Sequence, residues 1–161
     1  MKRLILMRHA KSDWSLGQPD SARPLNARGQ RSAEAMGDWL REKGYLPDQI
    51  LCSSAQRTRE TLDLLRITAP TSYQKGLYLA TPDKMRKALR KAKGDTVLML
   101  GHNPGIGLFA HSIVATPPDH PRFDDYPTCA TLVVDFPITA WKALDAQGET
   151  VDFAVGRDFS D

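Results

Sequence analysis

Thr96-Val97-Leu98-Met99-Leu100 is an unbroken, mostly apolar run, too short for a helix and closed by Gly101-His102-Asn103-Pro104-Gly105. Such a run between turn signals predicts a strand buried on both faces, the habit of a parallel sheet. Leu4 to Met7 and Gln49-Ile50-Leu51-Cys52-Ser53 read the same way, with a weaker strand around Ser72 to Lys75 and two late ones at Thr131 to Phe136 and Val151 to Val155. Helical spacing fills the intervals. Asn26 caps a helix with Ala33, Met36, Gly37 and Leu40 on one face and Gly44 as its stop, and Thr58 to Leu65 repeats the pattern. A helix from about Pro82 carries Met85, Ala88, Leu89 and Ala92, and another after Gly105 carries Ile106, Phe109, Ile113 and Val114. Strands alternating with helices predict an α/β fold with helices on both faces of the sheet.

Ligands of such sheets bind outside the carboxyl ends of the strands. Three of the expected ends carry chemistry: Arg8-His9 after the first strand, Arg57 in Ser53-Ser54-Ala55-Gln56-Arg57-Thr58 after the second, and His102 after Leu100 and Gly101. A histidine beside an arginine says little alone, but three segments brought together by topology make a phosphate pocket. Each guanidinium is a planar, permanently charged fork that matches phosphate oxygens. Neutral imidazole is a nucleophile, and flanking arginines disfavour its protonation.

Composition narrows the alternatives. At 161 residues the chain suits one domain spanning 1–161. The balance of 22 Lys plus Arg against 19 Asp plus Glu is too even for a protein that coats nucleic acid or an anionic membrane, so any basic site must be local. Cys52 and Cys129 lack the close pairing of a metal or redox motif and read as buried thiols. The apolar start breaks at Arg8, short of a secretory or membrane-spanning run, so the expectation is a cytoplasmic monomer without nucleic-acid or membrane partners.

At these motifs the chain resembles the histidine phosphatase (phosphoglycerate mutase-like) superfamily, and within it the SixA-type phosphohistidine phosphatases. Leu6-Met7-Arg8-His9-Ala10 is similar to the family's Arg-His-Gly motif, with alanine in place of glycine. Arg23-Pro24-Leu25-Asn26-Ala27-Arg28-Gly29, the block from Ser53 to Thr61, and Gly101-His102-Asn103-Pro104 resemble three further segments. The resemblance implies a three-layer α/β/α sandwich around a mixed, mostly parallel six-stranded sheet with one antiparallel strand. It makes His9 the nucleophile that becomes phosphorylated, with Arg8, Arg57 and His102 on the phosphoryl oxygens, and it implies neither metal nor cofactor.

Larger members of the superfamily use a carboxylate to protonate the leaving group. The segment where one is expected here, Gly76-Leu77-Tyr78-Leu79-Ala80-Thr81, has none, and the nearest substitutes in sequence are Asp13 and Asp83. Imidazole leaves more easily than an alkoxide, so the expected substrate is phosphohistidine on a protein partner, approached through a rim of Trp14, Arg23 and Asn103. A phosphomonoesterase for small metabolites and a phosphate-binding module with little turnover remain the alternatives. His111 and His120 are expected to be solvated and outside the site.

Overall fold

Two apolar layers clamp one sheet. The computed structural model describes residues 1–159 of the 161, so the last two residues of the expected domain lie outside the description. Its strands are β1 (Lys2–Arg8), β2 (Gln49–Ser53), β3 (Thr71–Gln74), β4 (Thr96–Gly101), β5 (Thr131–Phe136) and β6 (Glu149–Ala154). The helices are α1 (Ala27–Lys43), α2 (Gln56–Leu65), α3 (Pro82–Arg90) and α4 (Gly105–Ile113). The order across the sheet is β3-β2-β4-β1-β5-β6, and β5 runs antiparallel to both of its neighbours, as expected of a mixed sheet with one reversed strand.

Alternation along the strands divides the core. Leu4 and Leu6 of β1 join Val97 and Met99 of β4 in a layer completed by Met85, Leu89, Phe109 and Ile113 of α3 and α4. Ile5 and Met7 join Leu98 and Leu100 on the other face, against Ala33, Met36 and Leu40 of α1 and Leu62 and Leu65 of α2. Strands apolar on both faces need cover on both, which is the physical origin of the three layers. Helix ends follow local chemistry: the Asn26 side chain accepts from Gly29 N–H at 2.8 Å to start α1, and Gly44 ends it in a left-handed turn at φ 74°.

Boundaries moved slightly. β1 extends one residue further than the apolar run, through Arg8, and α2 starts at Gln56, so Arg57 stands in the first helical turn rather than before it. The last strand begins earlier than its apolar residues suggested, at Glu149, because it pairs along β5.

The three central strands end level. Arg8 lies opposite Gly101, and Cys52 lies opposite Leu100. Strands in register stand about 4.8 Å apart, so His9, His102 and the Ser53–Arg57 turn share one edge of the sheet.

Gly29 brings the loop after His9 against α1: a Cβ there would lie 2.0 Å from the Lys11 carbonyl oxygen. Gly29→Ala should therefore destabilise the fold by about 1–3 kcal/mol, read as a lower urea midpoint. Gly76→Ala, where a Cβ meets nothing within 4 Å, should stay within about 0.5 kcal/mol.

Candidate active site

His9 is held by its backbone before its ring is considered. Its N–H donates to Gly101 O at 3.2 Å, its carbonyl accepts from Cys129 N–H at 2.9 Å, and the next amide, of Ala10, donates to Thr61 Oγ1 at 3.0 Å. Thr61 in turn donates to Arg57 O at 2.7 Å, tying the first strand end to α2. Ala10 needs no left-handed backbone, and its methyl group is buried among Met7, Leu25 and Ala33, so alanine fits where the family motif has glycine.

The ring geometry fixes a tautomer. His9 Nδ1 lies 2.7 Å from Ala10 O. A carbonyl only accepts, so Nδ1 carries the proton and Nε2 is the bare nitrogen. From the other side, Arg57 Nε donates to Nε2 at 3.3 Å. The His9 pKa is held well below the ordinary histidine value, first by burial and then by His102, Arg8 and Arg57, against the opposing pull of the Ala10 carbonyl. Burial thus outweighs the flanking arginines that the sequence pointed to.

His102 lies 5.3 Å from His9 between ring centroids, and its Nε2 is 2.7 Å from Ser53 Oγ. Burial and the Arg57 charge push its pKa down to about 3, so it stands neutral in the free site rather than as the protonated donor that would best meet a phosphate. Two buried side-chain polar atoms among the described residues have no hydrogen-bond partner, His102 Nδ1 and Arg8 Nε. Buried polar groups are normally satisfied, so an orphan marks a place for a ligand. Both belong to the residues singled out by sequence.

Arg57, 3% exposed, spends three of its five N–H groups: Nε on His9, Nη1 on Asp20 O at 2.7 Å and Nη2 on Asp20 Oδ2 at 3.1 Å. Two remain for a ligand. Arg8 is half-buried and spends one, from Nη1 to Tyr126 O at 3.2 Å.

The rim differs from expectation in part. Trp14 is 70% exposed and carries the Arg23 guanidinium 3.4 Å over its ring. Arg23 itself is buried, bound to Ser12 Oγ at 2.6 Å and Asp20 Oδ1 at 3.1 Å. Asn103 turns its amide to backbone instead, donating to Asp125 O and Tyr126 O and accepting from Gly107 N–H. It braces the start of α4. Asp13 accepts from Ser15 N–H and Oγ–H within its own turn, and that pairing lowers its pKa, which makes it a poor proton donor. Asp83 lies exposed in the first turn of α3, where a carboxylate suits the helix dipole. His111 bonds Gly107 O and Asp124, and His120 bonds Asp158; neither joins the site. Cys52 and Cys129 are buried thiols, both pushed up to about 12 by burial.

Three contributors escaped the sequence reading. Asp20, in a short 3₁₀ turn of the loop 10–24, bridges Arg57 and Arg23 and accepts from the Tyr78 hydroxyl. Tyr78 stands in the segment searched for an acid, its ring edge-on to His102 at 5.4 Å. Ser53 was visible in its motif but had no role until its hydroxyl met His102. No periodicity marks Asp20, since only the return of an irregular loop over the strand ends brings it there.

The model of the histidine phosphatase superfamily (branch 1) matches residues 4–77. An uncharacterised protein of Mycobacterium leprae is 33% identical over 94% of this chain and all of its own length. Among solved structures, the provisionally named phosphohistidine phosphatase SixA of Nakamurella multipartitia superposes with a TM-score of 0.83 at 30% identity, covering 95% of both chains. The chain belongs to the histidine phosphatase superfamily, in its SixA-type branch. The SixA protein solved with tungstate shares the fold at a TM-score of 0.76 and 20% identity, over 97% of this chain and 98% of its own. As a phosphatase of this superfamily, the chain presents a buried imidazole with an unprotonated nitrogen beside two guanidinium groups.

Followed by NMR, the ring resonances of His9 and His102 should show no titration between about pH 8 and about pH 5, whereas an unperturbed ring has its midpoint near 6.5. Asp20 is held down to about 2, chiefly by the Tyr78 hydroxyl and then by Arg57 and Arg23. Its side chain is 42% exposed, so solvent screening limits its contribution to about 1 kcal/mol or less. A lowered carboxylate pKa stabilises above the unfolded value near 4 and is lost as pH falls toward 2. Asp20→Asn should accordingly be less stable at neutral pH, and its unfolding curves should converge with wild type between about pH 4 and about pH 2.

Proposed function

We propose that the protein hydrolyses phosphohistidine on a protein partner through a phosphoryl group carried transiently on His9, without a metal. The observation that carries this reading is the bare Nε2 of His9, neutral, buried and hydrogen-bonded by Arg57. Phosphoryl transfer asks chiefly for position and for positive charge around the equatorial oxygens. Arg57 keeps two N–H groups unspent and Arg8 four, from which those oxygens can be met. In the reaction Nε2 attacks phosphorus, the bond from phosphorus to the substrate nitrogen breaks, and its electron pair stays on the departing imidazole. Water then attacks the phosphoryl group, the bond from phosphorus to Nε2 breaks with its electron pair returning to the His9 ring, and the phosphate leaves with the proton of the water on one of its oxygens.

The leaving group follows from the carboxylates. Among the described residues, Asp20 is the one hydrogen-bonded to Arg57, and it is ionised far below neutrality, so it offers no proton to an alkoxide. Imidazole, whose ring can already carry a proton, departs without that help. The tungstate held by a SixA protein of the same fold is a phosphate-like oxyanion and fits the same reading. The alternative of a small-metabolite phosphomonoesterase has one observation in its favour, the Tyr78–Asp20 pair beside His102, which would have to be its proton source.

Incubation with a labelled phosphodonor should leave an acid-labile, base-stable phosphate on wild type and none on His9→Ala, whose turnover should fall to background. Phosphohistidine should be hydrolysed at least about tenfold faster than 3-phosphoglycerate, a difference of about 1.4 kcal/mol in barrier. Faster turnover of the alkyl ester would replace this substrate class with the alternative, and equal labelling of wild type and His9→Ala would refute the covalent route.

A further inference from the structure

Arg8 has a second outlook. It also lines a cavity of about 260 Å³ whose wall includes four more cations, Lys11, Arg28, Arg122 and Arg157, and, among the described residues, neither a carboxylate nor an aromatic ring. They come from distant parts of the chain: the end of β1 and the loop after it, the first turn of α1, the loop before β5 and the turn after β6. Arg122 is paired with Asp125, and Arg157 is also engaged. The side chains of Lys11 and Arg28 have no hydrogen bond or ion pair among the described residues. With 22 basic against 19 acidic residues in the whole chain, five cations around one cavity are a local concentration. Lys11 and Arg28 add charge that no carboxylate beside them offsets, like charges repel one another, and an anion relieves that cost.

We infer that this cavity is a docking subsite for acidic side chains next to the phosphorylated histidine of a protein substrate, with Arg8 as the wall shared with the catalytic pocket. The inference rests on the function proposed above. The cavity exceeds the room one phosphate requires, and its cations reach it from four segments, which suits two or more carboxylates on a chain. Guanidinium forks pair with carboxylates bidentately. The lack of an aromatic platform argues against single-stranded nucleic acid, whose bases need rings to stack on. The arrangement also places recognition next to chemistry, because Arg8 immediately precedes His9.

The test uses two phosphohistidine peptides that differ only in flanking residues, Asp and Glu in one and Asn and Gln in the other, with the double variant Lys11→Gln/Arg28→Gln, which leaves the catalytic pocket intact. Wild type should show a KM about tenfold lower for the acidic peptide, and rising salt should narrow that gap. In the double variant the two KM values should converge, with kcat and the hydrolysis of a small phosphoramidate unchanged. Equal KM values in wild type, or a gap that survives the double substitution, would overturn the inference. Calorimetry with the unphosphorylated acidic peptide separates the two claims. Binding weakened by the double variant, without turnover of either phosphopeptide, would keep the subsite and refute the phosphohistidine reading. Binding of inorganic phosphate but not of the acidic peptide to the cavity would refute the subsite as stated.

Discussion

The level ends of β2, β4 and β1 are the constraint on which the site depends. In a sheet apolar on both faces, hydrophobic pattern alone specifies register weakly, because a slip by one residue exchanges one buried set for another. Leu4 and Leu6 could trade places with Ile5 and Met7 at modest cost. The strand ends supply what the pattern lacks: Arg8 pairs with Gly101, the His9 backbone is bonded on both sides, and the Tyr126 hydroxyl donates to Leu6 O at 2.5 Å. Moving β1 by one residue would break all of these and leave buried donors unpaired, each costing about 1–3 kcal/mol. The polar contacts around the site therefore also set the register of the core.

The same contacts govern the chemistry. Burial keeps both histidines neutral, so positive charge near His9 comes from guanidinium groups that do not titrate in any relevant range. Asp20 offsets part of it. By taking two donors of Arg57 and one of Arg23, it bridges and orients the guanidinium groups while leaving N–H groups of Arg57 unspent. A positioned cation loses little reorganisation energy when an anion arrives, which is the sense in which such a pocket is prepared in advance.

Much of this was legible in the sequence, for identifiable reasons. Short apolar runs at Leu4–Met7 and Thr96–Leu100 announce strands, and the alternation with helices announces the layers. The resemblance at Arg8-His9, Ser53–Thr61 and Gly101–Pro104 then identified the residues that the structure brings to one edge. What could not be read was set by loops. Asp20 reaches Arg57 through an irregular return of the chain, and Asn103, expected at the rim, gives its amide to the carbonyls of Asp125 and Tyr126. Neither outcome has a period or a spacing. Tyr78 is illegible for a related reason: it carries no carboxylate itself, and its phenol acts by donating to one that lies 58 residues earlier.

The near-even charge of the chain is the other place where sequence and structure must be taken together. A net charge of +3 excludes a broadly basic surface, yet it says nothing about distribution. The fold pairs Lys2 with Asp95, Arg3 with Asp135 and Arg41 with Asp38 away from the carboxyl ends of β1, β2 and β4, while Arg8, Lys11, Arg23, Arg28 and Arg57 gather at those ends or beside them. Arg8 bears the consequence: burial and the neighbouring Arg57 both lower its pKa, and its Nε lies buried without a partner. A guanidinium held under those conditions is costly in the absence of an anion and well satisfied in its presence. The unfavourable local electrostatics of the free protein are thus the same interactions, with sign reversed, that would favour an anion over neutral ligands of the same size.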